Sequence, residues 1–122
     1  MRRGWVLAAR ISFVGSLVVI AWASLLPPDQ IPSGPVVSDK AVHAFGYALL
    51  GALAVASGLG VTPAVALTVG IGFALEVAQR MTGYRSFEWA DLAADAAGAL
   101  VGALLMMLTF RWATRRTISP SS

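Results

Sequence analysis

Polar residues come in two short groups along this chain, separated by long apolar runs. From Ile11 to Phe110, every charged residue except Asp29 lies in one of two islands. The first is Ser38, Asp39 and Lys40, extended by His43 and Tyr47. The second begins at Glu76, Gln79 and Arg80 and runs on through Arg85, Glu88, Asp91 and Asp95. The runs between them are built mostly from Ala, Gly, Val, Leu, Ile and Phe, and they lack the alternation of strands. A membrane-crossing helix needs about 20 mostly apolar residues. Four stretches come close, at roughly 5–26, 41–58, 63–79 and 91–112. The predicted fold is all-α: a four-helix transmembrane bundle with short loops, one domain over 1–116 and a short polar tail at 117–122.

The punctuation agrees with four helices. Pro27 and Pro28 stop the first, because proline lacks the amide and clashes with the preceding turn. Ser38 reads as an N-cap and Asp39 as a first-turn carboxylate for the second. Gly58 and Gly60 end the second, Thr62 caps the third and Pro63 opens it. The short connection makes these two helices an antiparallel hairpin. Gly83 breaks the chain after the third helix, and Phe87 and Trp89 suit the lipid–water boundary.

Composition places the chain in the membrane class. Of 122 residues, 57% are hydrophobic and 12% charged, against about 25% charged in soluble domains. No cysteine is present, which excludes disulfides, thiol nucleophiles and thiolate metal sites. The formal charge of +3 does not read as nucleic-acid binding. Arg2, Arg3, Arg10, Arg111, Arg115 and Arg116 flank the apolar chain at its two ends, as in cytoplasmic membrane-flanking segments. Lys40, Arg80 and Arg85 lie on the opposite side, so the positive-inside rule places both termini in the cytoplasm and both islands outside. The first segment also has the form of a signal peptide, with Ala21, Trp22 and Ala23 as a cleavage site. Its removal would leave three helices and the same outer face.

Helical spacing sorts the polar groups into stripes. Lys40, His43, Tyr47 and Gly51 share one face of the second helix. Gly72, Glu76 and Gln79 share one face of the third, with Arg80 beside it. Asp91, Asp95, Gly98 and Gly102 form a stripe on the fourth, where the two glycines make a GxxxG step that admits a neighbouring helix. Three helices thus aim polar groups at one pocket. Each residue also has a plainer role. Asp39 and Asp91 serve as first-turn carboxylates, and Glu76 with Arg80 as an i,i+4 ion pair. His43 satisfies a neighbour, and Tyr47 is an interface aromatic. Asp95 resists such a reading: a carboxylate one turn deeper needs Arg80, Arg85, His43 or Lys40 as partner, or a proton.

Taken together, these motifs resemble the VanZ-like family. Asp39, Lys40, His43 and Tyr47 are similar to its second-helix motif, and Glu76 with Gln79 to its third. Arg85, Ser86, Asp91, position 95, Gly98 and Gly102 are similar to its loop and fourth-helix motif. Asp95 departs from the pattern, standing where the family usually has asparagine. The resemblance implies a small bacterial multi-pass protein of the cytoplasmic membrane that retains its first helix. The family's namesake is associated with teicoplanin resistance through an activity that is not settled.

Three functions follow as expectations. In the first, Lys40, Arg80 and Arg85 hold an anionic headgroup while Asp39, His43, Tyr47, Glu76, Gln79, Ser86, Asp91 and Asp95 complete an outward-facing pocket. Its ligand is a membrane lipid, a lipid-linked envelope precursor or a lipidated glycopeptide. In the second, an enzyme uses His43 as base with Glu76 or Asp91 orienting it, or Ser86 as nucleophile. A variant of that reading has His43, Glu76, Asp91 and Asp95 hold a divalent metal, although no cofactor or metal is assigned. In the third, the chain is a structural subunit that forms a homo-oligomer through Gly98 and Gly102.

Overall fold

The computed structural model describes residues 2–30 and 39–118. It contains four α-helices: α1 (Arg2–Ser24), α2 (Asp39–Ala56), α3 (Val61–Met81) and α4 (Trp89–Ile118), with a 3-10 turn at Pro28–Gln30 after α1. No strand occurs among the described residues. α1, α3 and α4 are long and apolar enough to cross a membrane, whereas α2 is shorter. Large apolar side chains such as Trp22, Phe45 and Leu105 point outward on the helices, as expected where lipid is the solvent.

Element boundaries depart from the sequence reading in instructive places. α3 starts at Val61 with Gly60 as its N-cap and no side-chain cap, so Thr62 does not cap it. Pro63 falls inside the first turn, where a missing N–H leaves no bond unmade. α4 continues past Trp112 to Ile118, taking in the start of the expected tail, while residues 119–122 lie outside the described residues. Its 30 residues span about 45 Å, longer than the ~30 Å hydrocarbon core. Arg116 stacks over Trp112 on that extension, 3.9 Å from the ring centroid. Gly83 ends the α3 region with φ of 82°, a conformation that costs little only for glycine. The cap expected of Ser38 and of the Asp39 side chain falls outside the described residues.

The dominant seam is α2 against α4. The two run parallel: Lys40 and His43 meet Asp91 and Asp95, and further along Ala44 and Ala48 meet Gly98 and Gly102. A Cβ on Gly98 would stand 2.9 Å from Ala44 Cα, and one on Gly102 2.8 Å from Ala48 Cα. Gly51 receives the Ala99 backbone in the same way, at 3.1 Å from its Cα. Small residues at four-residue spacing on both helices thus allow backbone-to-backbone contact. α2 of the same chain covers both Gly98 and Gly102, the step to which an oligomeric contact is also assigned in the sequence. α3 packs on α4 and α2, and α1 runs antiparallel to α2. Ala54, Val55, Ala64 and Ala103, with Phe13, Met106, Met107 and Phe110 around them, fill the end opposite the polar residues.

Candidate functional site

Both polar islands come together at one end of the helices. α2 contributes its first three turns, α3 its last two turns, α4 its first two turns and α1 its C-terminus. The parallel α2·α4 seam sets the register, so residues 40 and 43 face 91 and 95. Lys40 Nζ donates to Asp91 Oδ1 at 3.0 Å and lies 3.5 Å from Glu88 Oε2. Asp91 is buried and Lys40 is half-exposed, so the ion pair closes the rim of the site. One turn deeper, His43 Nδ1 lies 2.9 Å from Asp95 Oδ1. While Asp95 is ionised it can only accept, and the proton of this bond is then on Nδ1. The Tyr47 ring lies parallel to the His43 ring and is itself buried.

Asp95 is fully buried, and its second oxygen, Oδ2, has no hydrogen-bond partner. Gly72 of α3 faces it; a Cβ at residue 72 would lie 3.0 Å from Oδ2 and 3.2 Å from the Tyr47 ring. Glu76, 2% exposed, points into the same interior and accepts the Glu88 backbone N–H at 3.2 Å through Oε2. That bond ties the connecting loop down over the site, and Phe87 packs on Phe73 and Trp89 beside it. Ligand-type atoms of His43, Glu76 and Asp95 all lie within 4.8 Å of one another.

A second cluster faces α1. Gln79 Nε2 and Arg85 Nη1 both donate to the Ser24 carbonyl, at 2.9 and 3.1 Å, and Tyr84 Oη donates to the Leu25 carbonyl at 2.6 Å. The last carbonyls of a helix have no partner within it and carry its negative dipole end. An arginine and two neutral donors therefore lock α1 to the site. Between them lies a cleft of about 180 Å³, with His43, Tyr47, Gln79 and Arg85 on its polar side and Ile20, Ala23 and Val42 on its apolar side.

The sequence-predicted residues divide accordingly. Lys40, His43, Tyr47, Glu76, Gln79, Arg85, Asp91 and Asp95 share one end of the molecule. Arg80 does not join them. It is exposed and makes no ion pair with Glu76 or any other described residue, because Glu76 turns into the interior while Arg80 turns out. Ser86 is exposed and makes no hydrogen bond among the described residues. The acid seen hydrogen-bonded to His43 is Asp95. Ser24, Tyr84 and Glu88 were absent from the predicted site. A backbone carbonyl leaves no trace in sequence, whereas Glu88 was visible within the second island.

Residues 9–111 match the family described as VanZ/LLP1, in keeping with the motif resemblance. No curated protein and no solved structure matches the chain.

Proposed function

The chain belongs to the VanZ/LLP1 family, and on that premise we propose that it binds the anionic headgroup of a membrane lipid or lipid-linked envelope precursor. The observation that carries this reading is the two-sided cleft, with Arg85, Gln79, His43 and Tyr47 facing Ile20, Ala23 and Val42. Arg85 gives one donor to Ser24 and has others suited to phosphate oxygens. The apolar wall continues onto the exposed faces of α1 and α2, where acyl or isoprenoid chains would lie. A cleft of about 180 Å³ has room for about six waters at ~30 Å³ each. That suits a phosphate with a small substituent.

In this reading all four helices span the membrane. Arg2, Arg3, Arg10, Arg111, Arg115 and Arg116 hold both termini in the cytoplasm, so the cleft opens toward the outer leaflet. α2, with 18 residues, covers about 27 Å, close to the ~30 Å required.

Native mass spectrometry of the full chain with phosphatidylglycerol and phosphatidylcholine tests the reading. Arg85→Gln is expected to reduce retained phosphatidylglycerol about tenfold, since a charged hydrogen bond contributes about 1.5–3 kcal/mol. Phosphatidylcholine retention should change little. Arg85 also caps α1, so Ala23→Phe supplies a second variant that narrows the cleft from its apolar side. Equal phosphatidylglycerol retention by both variants and wild type would remove the proposal. A second reading, catalysis on the same headgroup, draws support from the His43–Asp95 pair, which has the form of a base and its orienting acid. It requires His43→Ala to abolish headgroup release while the lipid stays bound.

A further inference from the structure

We propose that His43, Glu76 and Asp95 form a binding site for one divalent transition-metal ion, of which zinc and manganese fit the donors best. The inference goes beyond headgroup binding and does not depend on it.

Three side chains from three helices bring one imidazole and two carboxylates within 4.8 Å of one another. Proximity alone would not point to a metal. The orphaned oxygen does: Asp95 Oδ2 is the only buried side-chain oxygen or nitrogen among the described residues without a hydrogen-bond partner. An unpaired carboxylate oxygen in a helical interior is costly, and it lies where Gly72 contributes no side chain.

Charge gives the second argument. Lys40 is committed to Asp91 and Glu88, Arg85 is bonded to the Ser24 carbonyl, and Arg80 points outward. Glu76 and Asp95 are therefore two buried acids facing one histidine, which carries one positive charge at most. With both acids ionised, a proton on His43 balances only one of them, whereas a divalent ion balances both and gives Asp95 Oδ2 a partner.

The donor set narrows the ion. Imidazole nitrogen with carboxylate oxygen suits zinc, manganese and ferrous iron, whereas magnesium and calcium prefer oxygen alone. Three protein ligands leave room for water or a ligand oxygen on zinc. Bonds of about 2.0–2.2 Å in a tetrahedral site hold ligand atoms about 3.3–3.6 Å apart, so a separation of up to 4.8 Å closes by side-chain rotation on fixed helices. Asp91 falls outside the set because Lys40 holds it.

The test uses purified full-length protein in detergent, stripped with chelator and titrated with zinc alone, then with cobalt as a spectroscopic probe. About one zinc per chain should bind, and cobalt should show ligand-field bands of a nitrogen–oxygen site. Asp95→Asn and Glu76→Gln should each weaken zinc at least about tenfold while far-ultraviolet circular dichroism stays helical. Asp29→Asn, an exposed acid outside the cluster, should bind as wild type does. His43→Ala should lose the cobalt bands. Failure of folded wild type to bind zinc at millimolar concentration, or undiminished binding by both Asp95→Asn and Glu76→Gln, overturns the proposal. Neither result bears on phosphatidylglycerol retention.

Discussion

Replacing Gly102 by alanine puts one methyl into the α2·α4 seam. Its Cβ would stand 2.6 Å from the Ala48 carbonyl carbon and 2.8 Å from Ala48 Cα. Carbon atoms pack at about 3.5–4.0 Å, so the helices must part locally by about 1 Å. Side-chain rotation offers no relief, because both surfaces are backbone. Overpacking costs about 1–3 kcal/mol, and a rigid contact of this kind belongs at the upper end. For a chain of this length, that corresponds to a fall in Tm on the order of 10 °C. The same displacement reaches the polar end. His43–Asp95 at 2.9 Å and Lys40–Asp91 at 3.0 Å bridge the same two helices, and an added ~1 Å takes both out of hydrogen-bond range. Thermal unfolding in detergent, followed by circular dichroism, measures the effect. Gly70→Ala is the control: nothing lies within 4 Å of its Cβ, so alanine there adds up to about 1 kcal/mol of helix propensity. Gly98→Ala should behave like Gly102→Ala. A Gly102→Ala protein that melts at or above wild type would refute the claim that these glycines set the helix spacing.

Further outcomes follow from single contacts. Lys40→Met strands the buried Asp91 and should lower the melting temperature; Asp91→Asn added to it should restore stability, and high salt should narrow the original difference because Lys40 is half-exposed. Asp95→Asn, measured after chelation, should raise stability by about 1 kcal/mol, since the unpaired charged oxygen is gone, and zinc should then stabilise wild type but not the variant. Gln79→Leu removes one of two donors to the Ser24 carbonyl; a cost of about 1 kcal/mol, with faster amide exchange in the last turn of α1, is the expected readout. Gly83→Ala should cost about 1–2 kcal/mol from its left-handed backbone alone, as its Cβ meets open space; an unchanged melting curve would contradict that conformation.

The helices and the gathering of the islands were legible because apolar runs and polar stripes follow simple periods. Lys40, His43, Asp91 and Asp95 fall on facing stripes of α2 and α4, and the ion pairs formed there. The helix that fills the Gly98–Gly102 step was not legible. Ala44 and Ala48 look like any other alanines in an alanine-rich chain, and a small-residue step announces close approach without naming the partner. Arg80 misled for a related reason: i,i+4 spacing places it beside Glu76, but the interior held Glu76 and left Arg80 outside. The locking of α1 depends on carbonyl groups that every residue has, so its signal lay only in the donors Gln79, Tyr84 and Arg85.

That lock separates the molecule into two mechanical parts. The acids and the histidine ride on α2, α3 and α4, whose spacing is fixed where α2 meets α4 by contact between main chains. The far wall of the cleft, Ile20 and Ala23, belongs to α1, which is tied to the site by donors to its last carbonyls and otherwise packs on the others through side chains such as Phe13 and Ile20. A thinner or thicker bilayer that tilts α1 would therefore change the width of the cleft first and leave the spacing of the acids almost untouched.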